Sequence, residues 1–138
     1  MDALVIMVHG VGEHSGCYIH WAERFTRRSV GFLTFDLRGH GNSSGIRGHA
    51  SVRSLKNDLH AIIQNMREKF PDIPIVLFGH SMGGQIVLSC ALDHHAKIQG
   101  VIASSPWLKL VSPPSHLLLW LVRRISHIVP WQIGRAHV

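Results

Sequence analysis

"IVLFGHSMGGQIV", residues 75–87, is the stretch on which the fold reading turns. An apolar run breaks at Gly79, presents His80 and Ser81, and resumes through Gly83 and Gly84. The residues before the break (73–79) are short, apolar and β-branched, as in a buried strand. Those after it (83–95) have the composition of a helix. Gly79-His80-Ser81-Met82-Gly83 therefore fits G-x-S-x-G directly between strand and helix, the context in which that pattern marks a nucleophile elbow. The flanking glycines suit a turn so sharp that side chains there would meet the neighbouring strand and helix. Ser81 would then sit in a strained backbone conformation, its hydroxyl exposed and the N-terminal amides of the helix directed at it.

A serine of this kind needs hydrogen-bond donors for an oxyanion. The backbone N–H of the following residue, Met82, is one. The second is expected from a loop after an earlier strand, and "HGVGEHSG" (9–16) is placed for it, with the Val11 N–H as donor. His9, Gly10, Gly79, His80 and Gly83 are expected to support the site.

Working outward, "ALVIMV" (3–8) reads as a first strand and "YIHWAERFTRR" as a helix with basic residues in its last turn. "GFLTFD" (31–36) is a second strand, and "LRGHGNSSGIRGH" a glycine-rich loop. Ser51 caps a helix whose apolar positions Val52, Leu55, Leu59, Ile62, Met66 and Phe70 recur every three or four residues. Residues 73–79 and 98–105 supply a third and a fourth strand. Strands alternating with helices predict an α/β fold, a parallel sheet covered on both faces. After Pro106 the pattern changes to a strandless segment with one apolar helix starting near Ser115.

The 9–16 loop carries a rival reading. Gly10-x-Gly12-x-x-x-Gly16 lies between strand and helix, and Asp36 ends the next strand, close to a dinucleotide-binding fingerprint. Against it, Glu13 would put negative charge where a pyrophosphate must sit, a histidine precedes the first glycine, and Asp36 runs into another glycine-rich loop. The rival also leaves the serine elbow without a purpose.

Together "HGVGEHSGCY", "FDLRGHGNSSG" and "GHSMGG" resemble the α/β-hydrolase fold, in its monoacylglycerol lipase and lysophospholipase branch, often grouped with serine aminopeptidase-like hydrolases. The resemblance runs from about residue 3 to about residue 132. It implies Ser81 as nucleophile, the Val11 and Met82 amides as oxyanion hole, acyl-ester lipids as substrates, and no cofactor. It also implies that Asp36, Arg38 and His40 brace the site. "SSPWLKL" resembles the start of the family's lid insertion. The segment Leu117–Ile125 with Arg123 and Arg124 suits either a lipid-facing cap in peripheral contact with a membrane or a plain core helix.

In this fold the acid and the base follow the serine in chain order. After Ser81 the only acid is Asp93, twelve residues along the helix that starts at the elbow and so roughly 18 Å away. His94 and His95 share that displacement, and His116 and His127 have no acid near them in sequence. No triad assembles from these residues. The expected organisation is therefore the N-terminal part of a hydrolase core (1–105), the start of a lid (106–132), and a tail (133–138). That tail reads as a translated sequencing adapter and not as native sequence. A fragment without turnover of its own is the alternative to an active hydrolase.

Composition bounds the remaining classes. With 138 residues, 46% of them hydrophobic, the chain has room for a real core. No apolar run approaches a membrane span, no signal peptide is visible, and Cys17 and Cys90 form no disulfide pattern, so a cytoplasmic setting is expected. The net charge of +6 lacks the basic runs and interleaved aromatics of a nucleic-acid binder. The 12 histidines show no metal-ligand spacing, and no metal is expected.

Overall fold

The computed structural model describes residues 1–93, 97–108 and Trp120. Four strands, β1 (Ala3–Val8), β2 (Val30–Thr34), β3 (Ile75–His80) and β4 (Gly100–Ser104), form one parallel sheet in the order β2-β1-β3-β4. Val5 pairs with Phe32 on one side and with Val76 on the other, so β1 is central. That position explains its unbroken apolar sequence, since Leu4, Val5, Ile6, Met7 and Val8 are all buried and neither face can be polar.

Among the described residues, three helices cover the two faces. Helix α1 (Ile19–Thr26), preceded by a 3-10 turn at Ser15–Tyr18, lays its aromatic residues on one face. Trp21 packs on Phe78 with ring centroids 5.2 Å apart, and Phe25 stacks on Phe32 at 5.1 Å. On the other face, α2 (Val52–Lys69) and α3 (Met82–Ala91) enclose the main core. Leu4, Ile6 and Val8 of β1 and Ile75 and Leu77 of β3 meet Leu55, Leu59 and Ile63 of α2 and Ile86, Val87 and Cys90 of α3. Ser51 caps α2 as its position predicts, its hydroxyl accepting the Ser54 N–H at 3.1 Å. Arg67 near the far end of α2 fixes that end to the sheet, donating to the carbonyls of Lys97 and Ile73 and to the Gln99 side chain.

Strand existence and order along the chain match the sequence reading; β1 has the expected bounds and the other three strands are shorter than expected. The second strand ends at Thr34, two residues before the expected Asp36, because Asp36 is drawn out of the ladder. Its carbonyl accepts the Ser43 hydroxyl at 2.6 Å and its carboxylate turns to two loops. The first helix begins later than Tyr18 and stops at Thr26, whose hydroxyl bonds back to the Ala22 carbonyl at 2.9 Å. On α2 the buried stripe is Leu55, Leu59 and Ile63. Val52, the first residue of α2, and Phe70, its non-helical C-cap, both expected on that face, are exposed, because both stand at the ends of the helix and Phe70 has left its helical geometry. The expected lid over 106–132 lies outside the described residues except for Pro106, Trp107, Leu108 and Trp120, and the tail 133–138 lies wholly outside them.

The strand order fixes where a site can form. After β2 the chain returns past β1, so α1 and α2 lie on opposite faces and a crevice opens between the carboxyl ends of β1 and β3. A dinucleotide-binding half would set its third strand outside the second, in the order 3-2-1-4. Here β3 lies beside β1, so the rival reading of the 9–16 loop fails on topology. Both glycine-flanked segments that the sequence singles out, 9–16 and 79–83, end in that one crevice.

Candidate active site

Ser81 is the residue between β3 and α3, with φ 52° and ψ −115°. A β-carbon disfavours that region strongly, so the conformation persists only because the surroundings over-determine it. The Ser81 N–H donates to the Ser104 carbonyl at the end of β4 (3.0 Å). The Ser81 carbonyl accepts from Trp107 N–H (3.0 Å) and Gln85 N–H (3.2 Å). The side chain of His80 reaches the same strand end, its Nδ1 lying 3.3 Å from the Ser104 hydroxyl. The glycines make room for the bend. A Cβ on Gly79 would fall 2.3 Å from the Gly83 carbonyl oxygen, and one on Gly83 would fall 2.0 Å from that of Val8. Among the described residues the Ser81 hydroxyl has no hydrogen-bond partner, and its residue is only partly buried.

The 9–16 loop comes up against the elbow from β1. A Cβ on Gly10 would lie 3.2 Å from the Ser81 Cβ and 3.4 Å from the His80 carbonyl oxygen, so the two segments touch. His9 sits beneath them, completely buried. Its Nε2 accepts the Leu37 N–H at 3.0 Å, which leaves the ring proton on Nδ1 to donate to the Gly10 carbonyl at 2.8 Å. Burial holds its pKa below the ordinary histidine value, so it is a neutral strut between the ends of β1 and β2. Because a trans peptide points its C=O and N–H in opposite directions, pinning the Gly10 carbonyl turns the Val11 N–H out of the loop. Neither that amide nor the Met82 N–H donates to any described acceptor. Among the described residues the two expected oxyanion donors are thus without acceptors, on the two segments that meet at Ser81.

Asp36 joins the loops that frame the crevice. Its Oδ1 accepts the Ser15 N–H and its Oδ2 the Asn42 N–H, each at 2.7 Å. Burial opposes ionisation, but the Asn42 and Ser15 amides outweigh it and hold the carboxyl down to about 2. Arg38 makes a two-pronged pair with Asp58 of α2 at 2.9 and 2.7 Å, and His40 packs edge-on against His9 with ring centroids 5.3 Å apart. The bracing role that the resemblance implies for this loop has direct contacts behind it. A folded-state pKa below the unfolded 3.8 means that Asp36 stabilises the fold above about pH 4 and loses that contribution as pH falls toward 2. Between pH 5 and pH 3 the urea midpoint of wild type is expected to fall more steeply than that of Asp36→Asn. The difference should be worth on the order of 1 kcal/mol, reduced from the full shift because the carboxylate is partly exposed. Parallel slopes would remove Asp36 from this role.

Asp93, the only acid after Ser81, is committed elsewhere. It pairs with Lys56 at 2.9 Å and with His60 Nε2 at 2.9 Å, fixing the end of α3 to α2. Cys90 joins this group, and a Cys-His-Asp set invites comparison with a thiol nucleophile. Its sulfur lies 3.8 and 3.7 Å from the two ring nitrogens of His60, along neither lone pair, and burial with Asp93 nearby pushes the thiol up to about 11. Such a sulfur stays protonated and unactivated. His94, His95, His116 and His127 lie outside the described residues. Among the described residues no cluster of His, Cys, Asp and Glu has metal-binding geometry, and no helix is long and apolar enough to cross a membrane.

Three contributors escaped the sequence reading. Ser104 at the end of β4 and Trp107 just beyond it tie down the Ser81 backbone, a contact between segments that no local pattern encodes. Glu13 accepts the Gly10 N–H at 2.6 Å and the Tyr18 hydroxyl at 2.7 Å. The signal for it was available, since an acid three residues after a turn amide is the spacing at which a glutamate caps back.

Residues 1–135 match the family described as "Serine aminopeptidase, S33". The chain is 38% identical to an uncharacterized abhydrolase domain-containing protein of Dictyostelium discoideum, over 97% of this chain and 14% of that protein. It is 35% identical to a monoglyceride lipase of Rattus norvegicus, over 82% of this chain and 37% of the relative. Among solved structures, a monoacylglycerol lipase of Paleococcus ferrophilus superposes with a TM-score of 0.75 at 38% identity, covering 92% of this chain and 48% of that one. The chain thus spans less than half the length of each of these proteins.

Proposed function

The chain belongs to the serine aminopeptidase S33 family of α/β-hydrolases, and from that membership we propose that the protein is a serine ester hydrolase acting on monoacylglycerol- or lysophospholipid-like esters. The observation that carries the proposal is the conformation of Ser81, a non-glycine residue held at φ 52°, whose hydroxyl and two neighbouring amides have no hydrogen-bond partner among the described residues. Ser81 Oγ attacks the ester carbonyl carbon and passes its proton to a general base. The carbonyl π electrons move to oxygen, where the Met82 and Val11 N–H groups receive them. The tetrahedral adduct collapses, expelling the alcohol with a proton returned from the base. Water then cleaves the acyl-enzyme to release the fatty acid and free Ser81. The apolar composition of 106–132 supports contact between this segment and the lipid surface that presents such esters.

The base and its orienting acid come, in this reading, from outside the described residues, since Asp93 is spent on Lys56 and His60. The same observation favours a second reading for these 138 residues by themselves: a folded nucleophile and oxyanion hole without turnover. A fluorophosphonate probe tests the assignment on the full-length protein. Wild type is expected to be labelled and Ser81→Ala to be blank; equal labelling of the two overturns it.

A further inference from the structure

The 9–16 loop contains a carboxylate where an oxyanion site should tolerate none. Glu13 lies three residues from Gly10, within the segment that presents the Val11 amide. Negative charge there opposes the charge that develops on a substrate oxygen, so its presence calls for a compensating use. The contacts supply one. Glu13 grips Gly10 twice: its Oε2 accepts the Gly10 N–H at 2.6 Å, and its own N–H donates to the Gly10 carbonyl at 3.3 Å. The same Oε2 accepts the hydroxyl of Tyr18, a buried side chain, at 2.7 Å. Burial and then the bond to Glu13 drive the phenol's pKa upward, so Tyr18 remains a donor. Two donors thus converge on one carboxylate oxygen and absorb much of its charge.

Gly10 is wedged between Glu13 and the elbow. A Cβ on Gly10 would sit 3.0 Å from Glu13 Oε2 and 3.2 Å from the Ser81 Cβ. The Gly10–Val11 peptide has its carbonyl held by His9 Nδ1 and the Glu13 amide, while Glu13 also consumes the Gly10 N–H. The Val11 N–H is thereby left directed away from these partners, with no rival amide at Gly10 to share an acceptor.

We propose that Glu13, held by Tyr18, is the positioning residue of the oxyanion loop, fixing the Gly10–Val11 peptide against Ser81. This rests on the reading of Ser81 as nucleophile. A group that only positions an oxyanion donor acts on the transition state and leaves ground-state binding alone. The test uses the full-length protein, a p-nitrophenyl acyl ester for turnover, and an alkyl trifluoromethyl ketone, whose serine adduct carries an oxyanion. In Glu13→Ala, kcat is expected to fall about 10- to 100-fold with KM within about threefold, by analogy with loss of part of an oxyanion hole. Affinity for the trifluoromethyl ketone should weaken by the same factor. Tyr18→Phe should give a smaller loss of the same kind, and Glu13→Gln, which keeps an acceptor oxygen for Gly10, should recover most of the activity.

Unchanged kcat in Glu13→Ala overturns the proposal, as does a rise in KM at constant kcat, which would make Glu13 a substrate-binding group. If Glu13→Ala does not fold, the decision passes to Tyr18→Phe and Glu13→Gln. Wild-type values of kcat and ketone affinity in Tyr18→Phe, with lasting loss in a folded Glu13→Gln, would then overturn it. Failure of the underlying reading is distinct, since it appears as fluorophosphonate labelling of Ser81→Ala equal to wild type whatever the Glu13 variants do.

Discussion

Gly83→Ala is expected to destabilise the protein by more than about 3 kcal/mol, against the local preference of a helix for alanine. Within α3, alanine in place of glycine should gain up to about 1 kcal/mol from propensity alone. The added methyl would, however, lie 2.0 Å from the Val8 carbonyl oxygen and 2.7 Å from that of His9. Both are backbone atoms at the end of the central strand, where Val8 and His9 are fully buried and Val8 is paired with Gly79 of β3. No flexible side chain is available to move aside, so α3 must lift off the sheet, and overpacking of this kind outweighs the propensity gain. Gly100→Ala makes the natural control, because a Cβ there meets nothing within 4 Å. Its urea midpoint should stay within about 0.5 kcal/mol of wild type. A Gly83→Ala protein equally close to wild type would contradict the contact between α3 and β1.

That contact also marks the boundary of what the sequence reveals. The elbow is legible because strand, turn and helix are consecutive, and glycine spacing records the close approach directly. The 9–16 loop is legible for the same reason, as His9 and Gly10 end a strand that announces itself by composition. Strand order is not, because the placement of β3 beside β1 is decided by packing between segments some 70 residues apart in sequence. The α2 stripe shows an intermediate case. Its period is visible, but whether Ile62 or Ile63 faces the core depends on how the helix is rolled against β1 and β3, and Ile63 is the buried one. Asp36 was readable as a brace only through family resemblance. Its two amide partners belong to different loops, one before it and one after, and no spacing rule connects them. Ser104 and Trp107 were invisible for the same physical reason.

Ser81→Gly is expected to lose ester turnover by about 10⁴-fold or more while gaining stability over Ser81→Ala. Both variants remove the hydroxyl, so their activities should be equally low. Their backbones differ. At φ 52°, ψ −115° a β-carbon crowds the adjacent peptide groups, a cost of order 1–3 kcal/mol that alanine shares with serine and glycine escapes. Glycine adds unfolded-chain entropy worth up to about 1 kcal/mol in the opposite direction. The net expectation is that Ser81→Gly exceeds Ser81→Ala by roughly 1 kcal/mol in urea unfolding. Equal midpoints would mean that the turn is not strained, and residual Ser81-independent turnover near the wild-type rate would remove the nucleophile assignment. A gain in stability coupled to complete loss of turnover has a single physical source. The contacts to Ser104, Trp107 and Gln85 hold residue 81 where a side chain is disfavoured, and the consequence of that placement is a hydroxyl raised above the sheet beside the Val11 and Met82 amides, which have no acceptor among the described residues. An ordinary turn residue gains nothing from such strain, whereas a nucleophile that must approach a carbonyl from above the strand ends requires it.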